Sequence, residues 1–347
     1  MGAMRCVEAP VAVDPGAPSW ATLDTVRHLD RRFPTARLRQ VPVLRAAELD
    51  GRADASGDTR VWLALEALQV TGSFKVRGAL VALDALKDRG RVVAASAGNH
   101  GAAISYAASV LGIPATVCVP RSVPRAKRQR IERYGAELVI AQSDHYDDAE
   151  ALGKEIAITQ EAAFVSPYDD VGVVLGNGAS LGFEIVRALG GVPERLLTPF
   201  GGGGLATGLA WAIAAETEGS SERAVWGAQS EVSCAMAMSL EKGAAVERLV
   251  TDESTLAEGL EGGISAEAFA RARAAVAGVV VVTEEQIARA MEYAYRDLGI
   301  VIEGSSAAAL APVLAGLPEP VRGGDLVVVL TGRNVDPERV DGVLRAG

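Results

Sequence analysis

The chain has 347 residues, 49% hydrophobic and 22% charged, enough for a large core in two domains or one large one. Its formal net charge of −10 disfavours non-specific binding to nucleic acid or to an anionic membrane surface. Three scattered cysteines (Cys6, Cys118, Cys234) make a disulfide framework improbable, and three histidines without clamp spacing argue against a metal site.

In chain order, residues 1 to about 40 mix prolines, arginines and small residues, which predicts an irregular leading arm with a short helix. No charged head followed by an apolar run marks a signal peptide, and no apolar run is long enough to span a bilayer, so a cytoplasmic location fits. Val41 to Leu44 reads as an edge strand and 61–68 as a buried strand. The latter runs into Thr71-Gly72-Ser73-Phe74-Lys75-Val76-Arg77-Gly78-Ala79, followed by a helix from Ala79 to Leu86.

From Arg91 the pattern alternates. Strands are predicted at 91–95, 115–119, 137–141 and 163–165, and helices at 99–111, 125–134 and 147–159. Such alternation implies a parallel sheet with helices on its faces. Residues 91–168 are therefore expected to form a small nested α/β domain, with 1–90 and 169–347 forming the larger one. The basic residues Arg121, Arg125, Lys127, Arg128, Arg130 and Arg133 have the spacing of a solvated helix face. Further on come a helix at 181–189, a strand at 195–199, a helix at 205–217 and a strand at 224–228. Helices at 284–298 and 305–315 follow, then a strand at 325–330.

Three turns after predicted strands carry chemistry. Gly201-Gly202-Gly203-Gly204 opens a helix, and without Cβ atoms its amides can approach an anion closely at the helix N-terminus. It lacks the Gly-Lys-Ser/Thr ending that would suit a nucleoside triphosphate. Ser96-Ala97-Gly98-Asn99-His100-Gly101 offers amides for a carboxylate and an amide side chain for an aromatic hydroxyl. Thr331-Gly332-Arg333-Asn334 places a neutral hydroxyl at a strand end, able to meet a ring nitrogen. Lys75, on a small-residue turn at the mouth of a helix, can attack a carbonyl once burial frees its amine. A lysine for a carbonyl, a phosphate cup, a partner for a phenolic oxygen and a neutral partner for a ring nitrogen together describe pyridoxal 5'-phosphate.

The sequence resembles the fold-type II pyridoxal-phosphate enzymes, in particular the threonine/serine dehydratase (ammonia-lyase) family, which also includes serine racemase. The resemblance runs from about Val41 to Asp336. It is carried by Leu65 to Lys75, Ser96 to Gly101, Gly201 to Leu205, Ala257-Glu258-Gly259, Val301-Ile302-Glu303-Gly304 and Leu330 to Asp336. It implies a tryptophan synthase β-like fold, two open twisted α/β domains with the cofactor in the cleft between them. By the same resemblance Lys75 would be the catalytic residue and hold the cofactor as a Schiff base. Phe74 would line its ring and Asn99 would bond the ring hydroxyl. Gly201, Gly202, Gly203, Gly204 and Leu205 would bind the phosphate, Thr331 would face the pyridine nitrogen, and Gly259 and Glu303 would line the site. Ser96, Ala97, Asn99 and His100 belong to the loop that would receive the substrate carboxylate.

The implied activity is loss of water from a 3-hydroxy amino acid to give a 2-keto acid and ammonia, by a homodimer. Ala97 stands where the racemase branch has a serine, and a methyl cannot move a proton. In residues 229–235 the carboxylates with which some members hold a cation are displaced or absent, so no metal is expected there, although Glu231 within the segment is a carboxylate that could serve such a site. Arg333 and Tyr168 are open assignments beside the site. The chain stops soon after its last motif, so no C-terminal amino-acid-sensing domain is expected. A β-replacement enzyme of the cysteine-synthase type, an amino-acid racemase and a non-catalytic anion- or nucleotide-binding module are the alternatives.

Overall fold

The computed structural model describes residues 4–10, 17–167, 169–217, 224–249, 251 and 253–346. In chain order the strands are β1 (Arg5–Glu8), β2 (Val43–Arg45), β3 (Thr59–Leu65), β4 (Val92–Ala95), β5 (Ala115–Val119), β6 (Glu137–Ile140), β7 (Ala163–Phe164), β8 (Arg195–Pro199), β9 (Val225–Ser230), β10 (Gly278–Val282) and β11 (Gly324–Leu330). They form two open sheets. The larger has the order β1-β10-β9-β8-β11-β3-β2, with parallel inner strands and antiparallel edges. The smaller, β6-β5-β4-β7, is parallel throughout. Both carry helices, and the α/β class expected from the alternating pattern holds.

The residues explain the strands. Leu326 to Leu330 is a continuous apolar run, fully buried, as a parallel strand covered on both faces must be. The helix Gly304–Ala315 lies in the same apolar cluster through Ala307 to Ala311, whose short side chains let it sit close to the sheet. The helix Glu284–Arg296 starts on a capping box in which Thr283 and Gln286 satisfy each other's backbone N–H groups, and it buries only one face.

Several elements differ from the sequence reading. The strand expected over 61–68 ends at Leu65, because Glu66–Leu68 closes into a 3-10 turn that brings Glu66 to Arg77. The leading arm contains β1, paired with β10. β10 itself, a run of valines, has no period to read until a partner strand covers it. The helix expected from Leu181 starts at Ser180 and continues back into a π turn, Leu175–Ala179.

That π turn sits between two helices, Lys75–Ala85 and Gly204–Glu216, and glycines line both contacts. A Cβ on Gly176 would lie 2.6 Å from Gly78 Cα, and one on Gly178 would lie 2.6 Å from Gly208 Cα. Backbone therefore touches backbone on both sides. Gly78 N also donates to Asn177 Oδ1 at 2.9 Å. The helix Lys75–Ala85 packs on Asn99–Leu111 through Leu80, Leu83 and Ile104 in a shared apolar cluster. Burial of each such side chain stabilises the fold by about 2 kcal/mol.

β8, β11 and β3 are neighbours and parallel, so the turns that follow them open on one edge of the larger sheet. Those turns are Gly201–Gly204, Thr331–Asn334 and Thr71–Lys75. Carboxyl ends of parallel strands are where open α/β sheets take ligands.

Candidate active site

Lys75 is the first residue of its helix, with Phe74 as the N-cap. The preceding turn is stitched to the one after β11. Phe74 N donates to Thr331 O at 3.1 Å, Arg333 N donates to Gly72 O at 2.9 Å, and Ser73 bridges Gly332. The Lys75 amine is half-buried and forms no ion pair among the described residues. It lies 5.2 Å from the centre of the Phe74 ring, and its nearest acceptor is the Pro167 carbonyl at 3.5 Å. Burial lowers its pKa to about 8, while the charge of Glu303 works the other way.

Glu303 caps the helix Gly304–Ala315. Its carboxyl accepts from Asn99 Nδ2 at 2.8 and 3.0 Å, and its backbone N–H donates to Gly332 O at 3.0 Å. Burial raises the Glu303 pKa, opposed by the Asn99 hydrogen bond. Asn99 Oδ1 accepts from Asn334 Nδ2 at 2.6 Å, and that nitrogen also donates to Thr71 O at 2.9 Å. Asn99, Glu303, Thr331 and the Lys75 turn thus meet through direct contacts.

The tetraglycine turn joins this group through Gly259. A Cβ on Gly201 would lie 3.3 Å from Gly259 O, and Gly259 N donates to Ser305 Oγ at 2.8 Å, two residues past Glu303. Gly203 has φ +80°, and a Cβ there would lie 2.9 Å from the Phe200 ring. The helix that begins at Gly204 presents first-turn N–H groups that have no partner within the helix. The Leu205 side chain is buried in the core of the larger sheet, so its backbone is the part that faces an anion.

In the loop after β4, Ser96 Oγ accepts from Gly98 N at 3.2 Å. Ala97 packs against the Val117 and Val119 cluster. His100 is buried, with Nε2 3.2 Å from Val165 O and Nδ1 without a partner. Burial, helped by the charge of Lys75, lowers its pKa to about 3, so the ring is neutral. Among the described residues Ser73 Oγ, next to Lys75, is a second buried polar atom without a partner. A poorly solvated free amine, a glycine cradle at a helix start, a neutral hydroxyl at a strand end and unsatisfied polar atoms nearby fit pyridoxal phosphate.

Residues 35–332 match the model of the family described as "Pyridoxal-phosphate dependent enzyme". The chain belongs to this family. It is 36% identical over 294 residues to the L-threonine ammonia-lyase of Thermotoga maritima, covering 83% of this chain and 70% of that protein. It is 33% identical over 316 residues to the L-threonine dehydratase catabolic TdcB of Staphylococcus aureus (strain USA300), covering 89% and 88%. Among solved structures, the T.th. threonine deaminase is similar with a TM-score of 0.80 and 32% identity, covering 92% of this chain and 99% of that one.

For a pyridoxal-phosphate dependent enzyme, several residues beside the site escape the sequence reading. Asp169 accepts from Ser166 Oγ at 3.2 Å and Ser265 Oγ at 3.0 Å, which braces the segment carrying the Pro167 carbonyl. Ser305 holds the Gly259 turn, and Asn334 holds Asn99. For Ser305 and Asn334 a small polar residue close to a glycine is the available signal, and Asp169 carries no such signal. Arg333 is exposed, and its backbone rather than its guanidinium ties the turn. Glu231 Oε1 accepts from Glu284 N at 3.4 Å. Tyr168 lies outside the described residues. No helix among the described residues is long and apolar enough to cross a membrane.

Proposed function

We propose that this enzyme removes the 3-hydroxyl from a threonine- or serine-like amino acid and releases a 2-keto acid and ammonia. The observation that carries this reading is the Lys75 amine, held without a carboxylate partner and with its pKa lowered to about 8. Such an amine is free in a substantial fraction at mildly alkaline pH, so it can bond a carbonyl and later take a proton. Names of similar proteins, threonine ammonia-lyase and threonine deaminase, point the same way.

Bound pyridoxal phosphate supplies the sink for the electron pair left at Cα. The protein does the rest. Gly201, Gly202, Gly203, Gly204 and the Leu205 amide seat the phosphate. Phe74 and Gly259 would border the ring, Asn99 would donate to its hydroxyl oxygen, and Thr331 would give its nitrogen a neutral partner. Ser96 and the backbone amides of the loop through Ala97, Asn99 and His100 would hold the substrate carboxylate, which sets the Cα–H bond toward Lys75. The Lys75 amine would take that proton and pass it to the departing β-hydroxyl, which leaves as water, and the released enamine takes up water to give keto acid and ammonia. Glu303 holds the donor end of Asn99 in place. The Ala97 methyl cannot hold a proton on the opposite face, which favours elimination over racemisation.

We assign 91–168 to a small unit nested within 1–90 and 169–347, and the working state to a cytoplasmic homodimer. The family resemblance supports both. Light scattering that returns a single-chain mass at micromolar concentration would remove the dimer.

The test is a panel of 3-hydroxy amino acids scored for keto acid and ammonia, with Lys75→Ala as control. Release from at least one substrate, lost in Lys75→Ala together with the visible cofactor absorption, is expected. No release from any substrate, or product only when a second nucleophile is added, sinks the lyase reading in favour of β-replacement.

A further inference from the structure

An asparagine amide can be placed either way round, and only its nitrogen end can donate to an oxygen. The structure contains a chain of groups that decides between the two. It begins at Thr71 O, a backbone carbonyl, which can only accept. Asn334 Nδ2 donates to it at 2.9 Å, which fixes the orientation of the Asn334 amide. The same nitrogen donates to Asn99 Oδ1 at 2.6 Å. With its oxygen engaged there, Asn99 turns Nδ2 toward Glu303, 2.8 Å from Oε1 and 3.0 Å from Oε2. Reversing the Asn99 amide would set nitrogen against nitrogen at Asn334 and oxygen against oxygen at Glu303, leaving part-buried polar groups unsatisfied.

Asn334 also has a built place. Gly72 has φ +78°, and a Cβ there would lie 2.5 Å from Asn334 Oδ1, so only glycine leaves room for the amide. The Arg333 N to Gly72 O bond of 2.9 Å ties the two turns together at that point.

We propose that Asn334 is a positioning residue that keeps Asn99 Nδ2 as the donor end, with one of its two N–H groups on the Glu303 carboxyl and the other for the cofactor's ring oxygen. The proposal rests on the reading above, in which Asn99 meets the ring hydroxyl. A donor there favours the ionised phenolic oxygen, whereas a carbonyl would favour the protonated one. Asn334 thereby sets the protonation of that oxygen through Asn99.

The test compares Asn334→Asp, Asn334→Ala, Asn99→Ala and the double variant Asn334→Asp/Asn99→Ala. Aspartate keeps the shape but has no N–H to give. Each single variant is expected to raise the Kd for pyridoxal phosphate about tenfold, the loss of one hydrogen bond to a charged group. Bound cofactor should move toward its short-wavelength, protonated absorption at fixed pH. The double variant should bind no more weakly than Asn99→Ala, because both changes remove one interaction. In the cofactor-free protein, Asn334→Ala should shift the NMR signals of the Asn99 side-chain amide, while Arg333→Ala should leave them in place. A wild-type spectrum and Kd in Asn334→Asp, or effects that multiply in the double variant, overturn the proposal. Failure of the lyase reading would look different, with no keto acid from the wild-type enzyme and the coupling in cofactor affinity intact.

Discussion

Arg77 and Glu184 meet through two hydrogen bonds, Nη1 to Oε1 at 2.9 Å and Nη2 to Oε2 at 2.7 Å, in a position almost shut off from water. Glu66 closes the other side of the same guanidinium at 3.0 and 2.8 Å. Burial alone would lower the Arg77 pKa, but the two carboxylates more than offset it and hold the charge firmly. Arg77 stands two residues after Lys75, so this cluster anchors the start of the lysine helix to the end of β3 and to the helix Ser180–Leu189. Arg77→Met leaves two carboxylates in the core without a counter-charge. The expected loss is about 3–5 kcal/mol, read by urea unfolding of the cofactor-free protein. A loss below about 1 kcal/mol would mean that the cluster contributes little beyond its own desolvation cost.

The pKa of Lys75 implies a pH-dependent stability. The folded value is about 8 and the ordinary value 10.5, so between them the unfolded chain binds more protons and stability rises with pH. Below about pH 8 the buried charge is a full penalty. Part of the side chain reaches solvent, so the penalty is about 1–2 kcal/mol rather than the full shift. Cofactor-free Lys75→Met should therefore be more stable than wild type at about pH 7, with the gap closing between about 8 and 10.5. A gap constant across that range, measured by unfolding at several pH values, would contradict the shift.

Gly203→Ala places a methyl at a positive φ, 2.9 Å from Phe200 Cζ and 3.1 Å from Ala272 Cβ. The expected cost is about 1–3 kcal/mol of stability. Distortion of the phosphate seat should add a loss of cofactor affinity. Titration with pyridoxal phosphate should show a Kd about tenfold higher or more, whereas an unchanged Kd would remove the turn from the cofactor site.

The Lys127 amine meets Glu258 Oε2 at 2.9 Å and Arg339 Nη1 meets Glu258 Oε1 at 2.9 Å. Lys127 lies on the helix Arg125–Glu132 beside the smaller sheet, and Glu258 opens the turn that holds Gly259. The exposed pair contributes at most about 1 kcal/mol, so Lys127→Met should barely move the unfolding midpoint. Its expected effect is a higher KM. Added salt should raise KM in wild type and much less in the variant, because screening removes the same tie. Equal salt dependence in both would show that the pair does not act on substrate binding.

The functional turns are legible in the sequence because they are punctuated. Apolar runs end abruptly in glycine and small polar residues at 71–75, 96–101, 201–204 and 331–334, and the structure brings these together. The partners of the polar residues are not legible. Asn99 and Asn334 are 235 positions apart, and Arg77 and Glu184 are 107 apart, so no local period encodes either pair. β10 escapes notice because a run of valines acquires meaning only beside β9 and β1. Glu66 reads as a strand residue, and only its buried partner bends the chain there into a 3-10 turn.

The glycines at 78, 176, 178 and 208 set a fixed gauge. Main chain rests on main chain at these glycines, and the one side chain between them and the lysine helix, Asn177, is itself fixed by Gly78 N, so the span from the lysine helix to the tetraglycine helix resists lengthening. The spacing of these two helices, which start at Lys75 and Gly204, is thereby held at one length. A new substrate preference can therefore be written into 96–101 or 166–170 while the calliper formed by the π turn and its two helices stays as it is.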